Sequence, residues 1–133
     1  MFSLFPDILF LTPVAVAFLR IVTGLYFAYI AYRLYVTRNK IAGLKVPVVG
    51  HMRLWMVLFS SLATLATGVL LIVGAWTQGA AIVALAIVLK HLAGARRYAQ
   101  ILPLSSGTYA LLAALSFALI FTGAGLFGID WPL

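Results

Sequence analysis

A chain of 133 residues that is 65% hydrophobic and only 8% charged does not read as an ordinary soluble domain, where about a quarter of the residues carry charge. So small a globule has too little interior to hide this much carbon, whereas a bilayer removes the difficulty, since a spanning helix needs about 20 apolar residues. The formal net charge of +7 would suggest nucleic acid in a soluble protein, but the cations fall in short connectors between apolar runs, where topogenic charge belongs, and no nucleic-acid partner is expected.

Four apolar runs follow one another. The N-terminus lacks the basic stretch of a secretory signal, and the first run, about 10–35, is longer than a signal core, so it is expected to persist as a mature helix. Pro13 suits its first turn. Within it stands Arg20, which costs about 2.5–3.5 kcal/mol near the centre of a span even on lenient scales. It must therefore face protein or reach the outer headgroups, and Gly24, one turn on, shares its face. Tyr26, Tyr29 and Arg33 form a second face, suited to packing or to lining a quinone or lipid cleft.

A connector, 36–53, carries Arg38, Lys40, Lys45 and Arg53. The second run, about 54–73, places Ser60, Thr64 and Gly68 at four-residue spacing, a stripe of small residues of the kind that marks helix contacts in lipid. The uncharged turn "GAWTQG" then forces an antiparallel hairpin with the third run, about 78–92. That run is short and ends with Lys90 and His91. His51 and His91 are expected at the inner interface; with no cysteine in the chain and no acid beside them, no metal is expected. A third connector, 93–107, holds Arg96 and Arg97, and the fourth run spans about 108–127. Trp55, Trp76 and Trp131 fall near run ends, as interfacial anchors do.

Every Lys and Arg except Arg20 lies in, or at the edge of, the first and third connectors. Four crossings put those connectors on one side, and the excess of cations makes that side cytoplasmic. The expectation is an all-α fold: a four-transmembrane-helix bundle, one membrane domain over 1–133, multi-pass in a bacterial-type inner (cell) membrane, with both termini outward. The only acids, Asp7 and Asp130, then face outward too. Gly123, Gly125 and Gly128 permit a turn after the last run, so Asp130 could fold back to pair with Arg20 or share a polar ligand with it.

Three segments resemble the DoxX-like family of small four-helix membrane proteins. "FLRIVTGLYFAYIAYRL" resembles the family's first helix, where Leu-Arg precedes a glycine and an aromatic-rich stretch. "LATGVLLIVGAWTQGAAIVALAIV" is similar to its second hairpin, with Gly68 and Gly74 in the glycine-spaced segment. "TGAGLFGID" is similar to the closing pattern, with Gly123, Gly125, Ile129 and Asp130 at matching places. The chain departs from the family at Thr64, where relatives often carry glutamate, at Tyr29 and Tyr32, and at Ala124 and Leu126, which replace the closing proline and arginine.

The resemblance implies a membrane subunit or accessory protein of a larger redox or electron-transfer complex; some relatives belong to thiosulfate:quinone oxidoreductase. Other membrane subunits and the lipid bilayer are the partners implied, with quinone or lipid as the bound molecule. It supplies no catalytic residue. One alternative is a quinone-associated oxidoreductase component with an outer polar site at Arg20 and Asp130; Thr64 is a further candidate ligand-binding residue. A small transporter is the other, but proton-coupled four-helix exporters need a membrane-embedded carboxylate, and no acid lies in any run.

Overall fold

The computed structural model describes residues 10–46, 50–51, 53–125 and 128. The fold is all-α, apart from one very short hairpin. Helix α1 spans Thr12–Val36, α2 is a single turn over Arg38–Ile41, and strands β1 (Lys45–Val46) and β2 (Gly50–His51) pair antiparallel. Then come α3 (Leu54–Val73), α4 (Thr77–Tyr98) and α5 (Ser106–Thr122). Three helices, α1, α3 and the Thr77–Ala95 part of α4, are long and apolar enough to cross a membrane, while α5 is apolar but shorter.

Local sequence explains the helix ends. Pro13 sits in the first turn of α1, where its missing N–H has no partner to lose. Helix α3 stops at Gly74, which is left-handed (φ 75°, ψ 31°) and donates its N–H to the Leu70 carbonyl at 2.8 Å, a conformation that penalises any residue with a Cβ. The Ser105 side chain accepts from the Thr108 N–H and caps α5. At its far end α5 stops at Gly123 (φ 70°).

Two boundaries differ from the sequence reading. Helix α4 runs to Tyr98 rather than ending near Leu92, because a charge ends an apolar span without ending a helix, and 93–98 holds no proline. Helix α5 ends at Thr122, five residues before the expected limit, because the glycine at 123 turns the chain. The first connector, read as a plain loop, holds α2 and the β1–β2 hairpin.

Helices α1 and α3 make the most intimate contact. An added Cβ on Gly24 would lie 2.8 Å from the Gly68 carbonyl oxygen, and one on Gly68 would lie 2.9 Å from the Gly24 carbonyl oxygen. The two backbones therefore touch where both residues lack side chains. Ser61 Oγ donates across the same seam to the Ala31 carbonyl at 2.8 Å. Residues 24 and 31 thus meet 68 and 61, so the helices are antiparallel. Lys90 Nζ donates to Ser60 Oγ at 3.0 Å, which fixes α4 antiparallel to α3, and His91 on α4 stacks on Tyr109 at the start of α5. Small side chains, Ala80, Ala81 and Ala84, let α4 close on a core that includes Phe27, Ile30, Leu71 and Leu112.

The two basic connectors share one end of the molecule. Tyr98 Oη donates to the Lys45 carbonyl at 2.5 Å, tying the end of α4 to the hairpin after α1.

The α1–α3 seam yields a paired prediction. Gly68→Ala forces a methyl against rigid backbone and is expected to cost about 1–3 kcal/mol, the range for overpacking. Gly79→Ala, on α4 with nothing within 4 Å of its added Cβ, should be neutral or mildly stabilising. Thermal melts of the two variants in one detergent check this; equal melting points would show that the seam does not constrain the fold.

Candidate functional site

The buried stripe of α1 comprises Ala17, Arg20, Thr23, Gly24, Phe27, Ile30, Ala31 and Leu34, a three-and-four spacing that turns one face inward. Arg20 belongs to it. The residue is 1% exposed, the largest fully buried side chain among the described residues.

Among the described residues, the groups nearest its guanidinium are backbone. Nη1 donates to the Ala124 carbonyl at 2.5 Å. A Cβ on Gly74 would stand 2.3 Å from Nη1, 2.6 Å from Cζ and 2.9 Å from the Gly128 Cα; one on Gly128 would stand 3.0 Å from Nη1. Ala124 and Gly128, beyond α5, therefore close on Arg20, together with Gly74 in the turn between α3 and α4. Gly125 continues the contact, since its added Cβ would lie 2.8 Å from the Pro13 carbonyl oxygen and 3.1 Å from the Ala17 nitrogen.

The electrostatics follow from where these segments lie. Gly74 caps the C-terminus of α3, and Ala124 follows the cap of α5. Two helix C-termini, each carrying about half a negative charge on its unsatisfied carbonyls, thus converge on one permanently charged guanidinium. A helix C-terminus stabilises a nearby cation by roughly 0.3–1 kcal/mol when exposed and up to ~2 kcal/mol when partly buried, comparable with the insertion cost of the arginine. Chemically the arrangement is a clasp.

The remaining sequence candidates distribute as follows. Asp130 and Trp131 lie outside the described residues. Thr64 is fully buried but donates to the Ser60 carbonyl in its own helix at 2.7 Å. It stands ten residues, about 15 Å, along α3 from Gly74, so the structure does not bring it to Arg20. Gly24, Ser60 and Gly68 serve the helix contacts described above, while Gly123 and Gly125 shape the returning segment. Trp55 and Trp76 are 61% and 78% exposed at opposite ends of α3, about 30 Å apart along its axis, which matches the thickness of a hydrocarbon core.

One cluster went unseen in the sequence. His91 is buried within the protein; its Nδ1 pairs with the Ile87 carbonyl at 2.7 Å, and its ring lies 5.4 Å from that of fully buried Tyr109, tilted by 8°. The signal was the 109, 112, 116, 119 stripe on α5, readable as a buried face but silent about what it would meet. His51 is exposed on β2. Among the described residues no three His, Cys, Asp or Glu side chains gather in one place. Comparison with protein-family models, with curated proteins and with solved structures gives no match.

The clasp makes a testable claim. Arg20→Leu leaves the Ala124 carbonyl without its donor and should cost about 1–3 kcal/mol, with faster proteolysis beyond Thr122; Gly74→Ala should act similarly through its left-handed backbone and its contact with the guanidinium. Melting curves and limited proteolysis of the detergent-solubilised protein read both effects, and a stable, protease-resistant Arg20→Leu variant would exclude the clasp.

Proposed function

We propose that the chain is a DoxX-like, four-span protein of the cell membrane, with its cationic connectors in the cytoplasm and both ends outside. In this reading it serves as a non-catalytic subunit or accessory protein of a larger membrane redox or electron-transfer complex. The observation that carries the reading is the contrast between the buried arginine and the surface. Arg20 is 1% exposed and donates to the Ala124 carbonyl, which favours a structural role over a site open to quinone or to a small sulfur compound. The surface is broadly apolar and aromatic, with Phe18, Phe59, Phe117 and Phe121 more than half exposed. Such a surface suits lipid and equally suits packing against other membrane subunits, since association in lipid depends on close fit rather than on hydrophobicity.

The sidedness rests on the cations. The first connector and the end of α4 are joined by the Tyr98–Lys45 hydrogen bond, so their charges act at one end of the molecule, and cytoplasmic retention of such loops is the usual outcome. A four-span arrangement requires α5, with 17 residues, to cross as well.

Two measurements test the proposal. Extraction from native membranes in mild detergent is expected to yield a larger complex containing the chain at fixed stoichiometry; a monodisperse monomer would contradict the subunit role. The chain contains no cysteine, so single cysteines report without background. Lys40→Cys should react with an impermeant maleimide only after permeabilisation, and Gln78→Cys in intact cells; the opposite pattern would invert the orientation.

A further inference from the structure

Between α1 and α3, on the surface of the molecule, runs a groove of about 430 Å³ lined by Ala28, Ala31, Tyr32, Tyr35, Leu58, Ser61, Leu62 and Leu65. Its origin is the glycine seam. The close approach at Gly24 and Gly68 draws the helices together, and the small side chains of Ala28 and Ala31 leave a furrow beyond it. The furrow offers little to a polar guest, because the Ser61 hydroxyl is already donated to the Ala31 carbonyl. Leu62, 65% exposed, and Tyr32, 64% exposed, stand as its walls.

One end of the groove is cationic. Tyr35 lines it, and the Arg38 guanidinium lies 4.3 Å from the centroid of that ring while donating to the Tyr35 carbonyl at 2.9 Å. Arg38 is thereby fixed over the mouth rather than left to sweep the solvent. Arg53 immediately precedes α3 at the same end. Among the described residues no carboxylate offsets them, and the two acids of the chain, Asp7 and Asp130, fall outside the connectors in sequence.

We propose that this groove is a binding site for an anionic phospholipid, with an acyl chain lying along Ala28, Ala31, Leu62 and Leu65 and the headgroup phosphate at Arg38. The chemistry matches at both ends: a carbon-lined furrow of the volume of a small-molecule site (roughly 300–1,000 Å³) for the chain, and a fixed guanidinium, the side chain best suited to phosphate, for the head. Zwitterionic lipid offers the same chain but lacks the net charge that the basic end attracts. The proposal requires only that the protein lies in a bilayer, and does not depend on its role as a subunit.

The test uses the full chain, delipidated in detergent and titrated with phosphatidylglycerol or phosphatidylcholine of identical acyl chains, with bound lipid counted by native mass spectrometry. One phosphatidylglycerol should bind about fivefold more tightly than phosphatidylcholine, the factor expected for one basic residue near a headgroup. Arg38→Gln should remove that preference. Lys40→Gln, exposed on the same connector but outside the groove, should retain most of it. Leu62→Trp fills the furrow from a lipid-facing position and should weaken both lipids alike, with helix content by circular dichroism and melting point unchanged. Equal affinity for the two lipids, or equal losses in the Arg38 and Lys40 variants, would reduce the effect to a diffuse basic field and overturn the site. A lipid-free dimer that Leu62→Trp dissociates would assign the groove to a second copy of the chain and overturn it equally.

Discussion

The contact on which the remaining geometry rests is the one between two missing side chains, at Gly24 and Gly68. Within a bilayer the hydrophobic effect gives helices no reason to prefer one another to lipid. What remains is dispersion, strongest at short range, and hydrogen bonds across the seam. The two glycines bring the α1 and α3 backbones into contact and so bring Ser61 within reach of the Ala31 carbonyl. The same crossing fixes the longitudinal register of the pair. Arg20 lies one turn from Gly24 and Gly74 lies six residues from Gly68, so the alignment that joins the glycines also sets the guanidinium against the C-terminal end of α3.

That alignment explains how a hydrophobic helix tolerates a permanent charge. Desolvating an arginine is unfavourable, but among the described residues the groups closest to the Arg20 guanidinium are backbone, and the Ala124 carbonyl accepts its hydrogen bond. It lies beside Gly74, which caps α3, and the Ala124 carbonyl just past the cap of α5, where terminal carbonyls otherwise lack intrahelical partners. Each side of the contact thus meets a need of the other. Ala124 and Gly128, beyond α5, are drawn onto the end of the molecule by the same interaction and become part of the packing.

Much of this was legible in the sequence, and the reasons for the rest are instructive. The apolar runs and the membrane environment follow from composition. The small-residue stripe of the second run is a local pattern, and its Gly68 marks a contact that exists, as does Gly24 on the first run. A charge inside a run advertises itself, so Arg20 was bound to be noticed, and the glycines after α5 signalled a turn. Helix length was harder, because hydropathy reports where lipid ends and α4 continues past that point to Tyr98. The His91–Tyr109 stack needed the register of α4 against α5, which no single segment encodes. Thr64 drew attention through the resemblance to a family that often has glutamate there, yet its hydroxyl turns back to its own helix. The guanidinium's neighbours among the described residues were hidden for a simple reason: they are backbone, which every residue possesses.

Helix α5 carries a final consequence. Its 17 residues rise only about 25 Å, whereas a typical hydrocarbon core is ~30 Å thick. Tilting shortens the vertical reach of a helix further, so it relieves excess length and never a deficit. With α1 and α4 at full length beside it, a membrane-crossing α5 would leave the surrounding lipid dented along one flank only. Because two dents placed together deform less bilayer than two kept apart, that flank is where the elasticity of the membrane itself would draw a neighbouring molecule in.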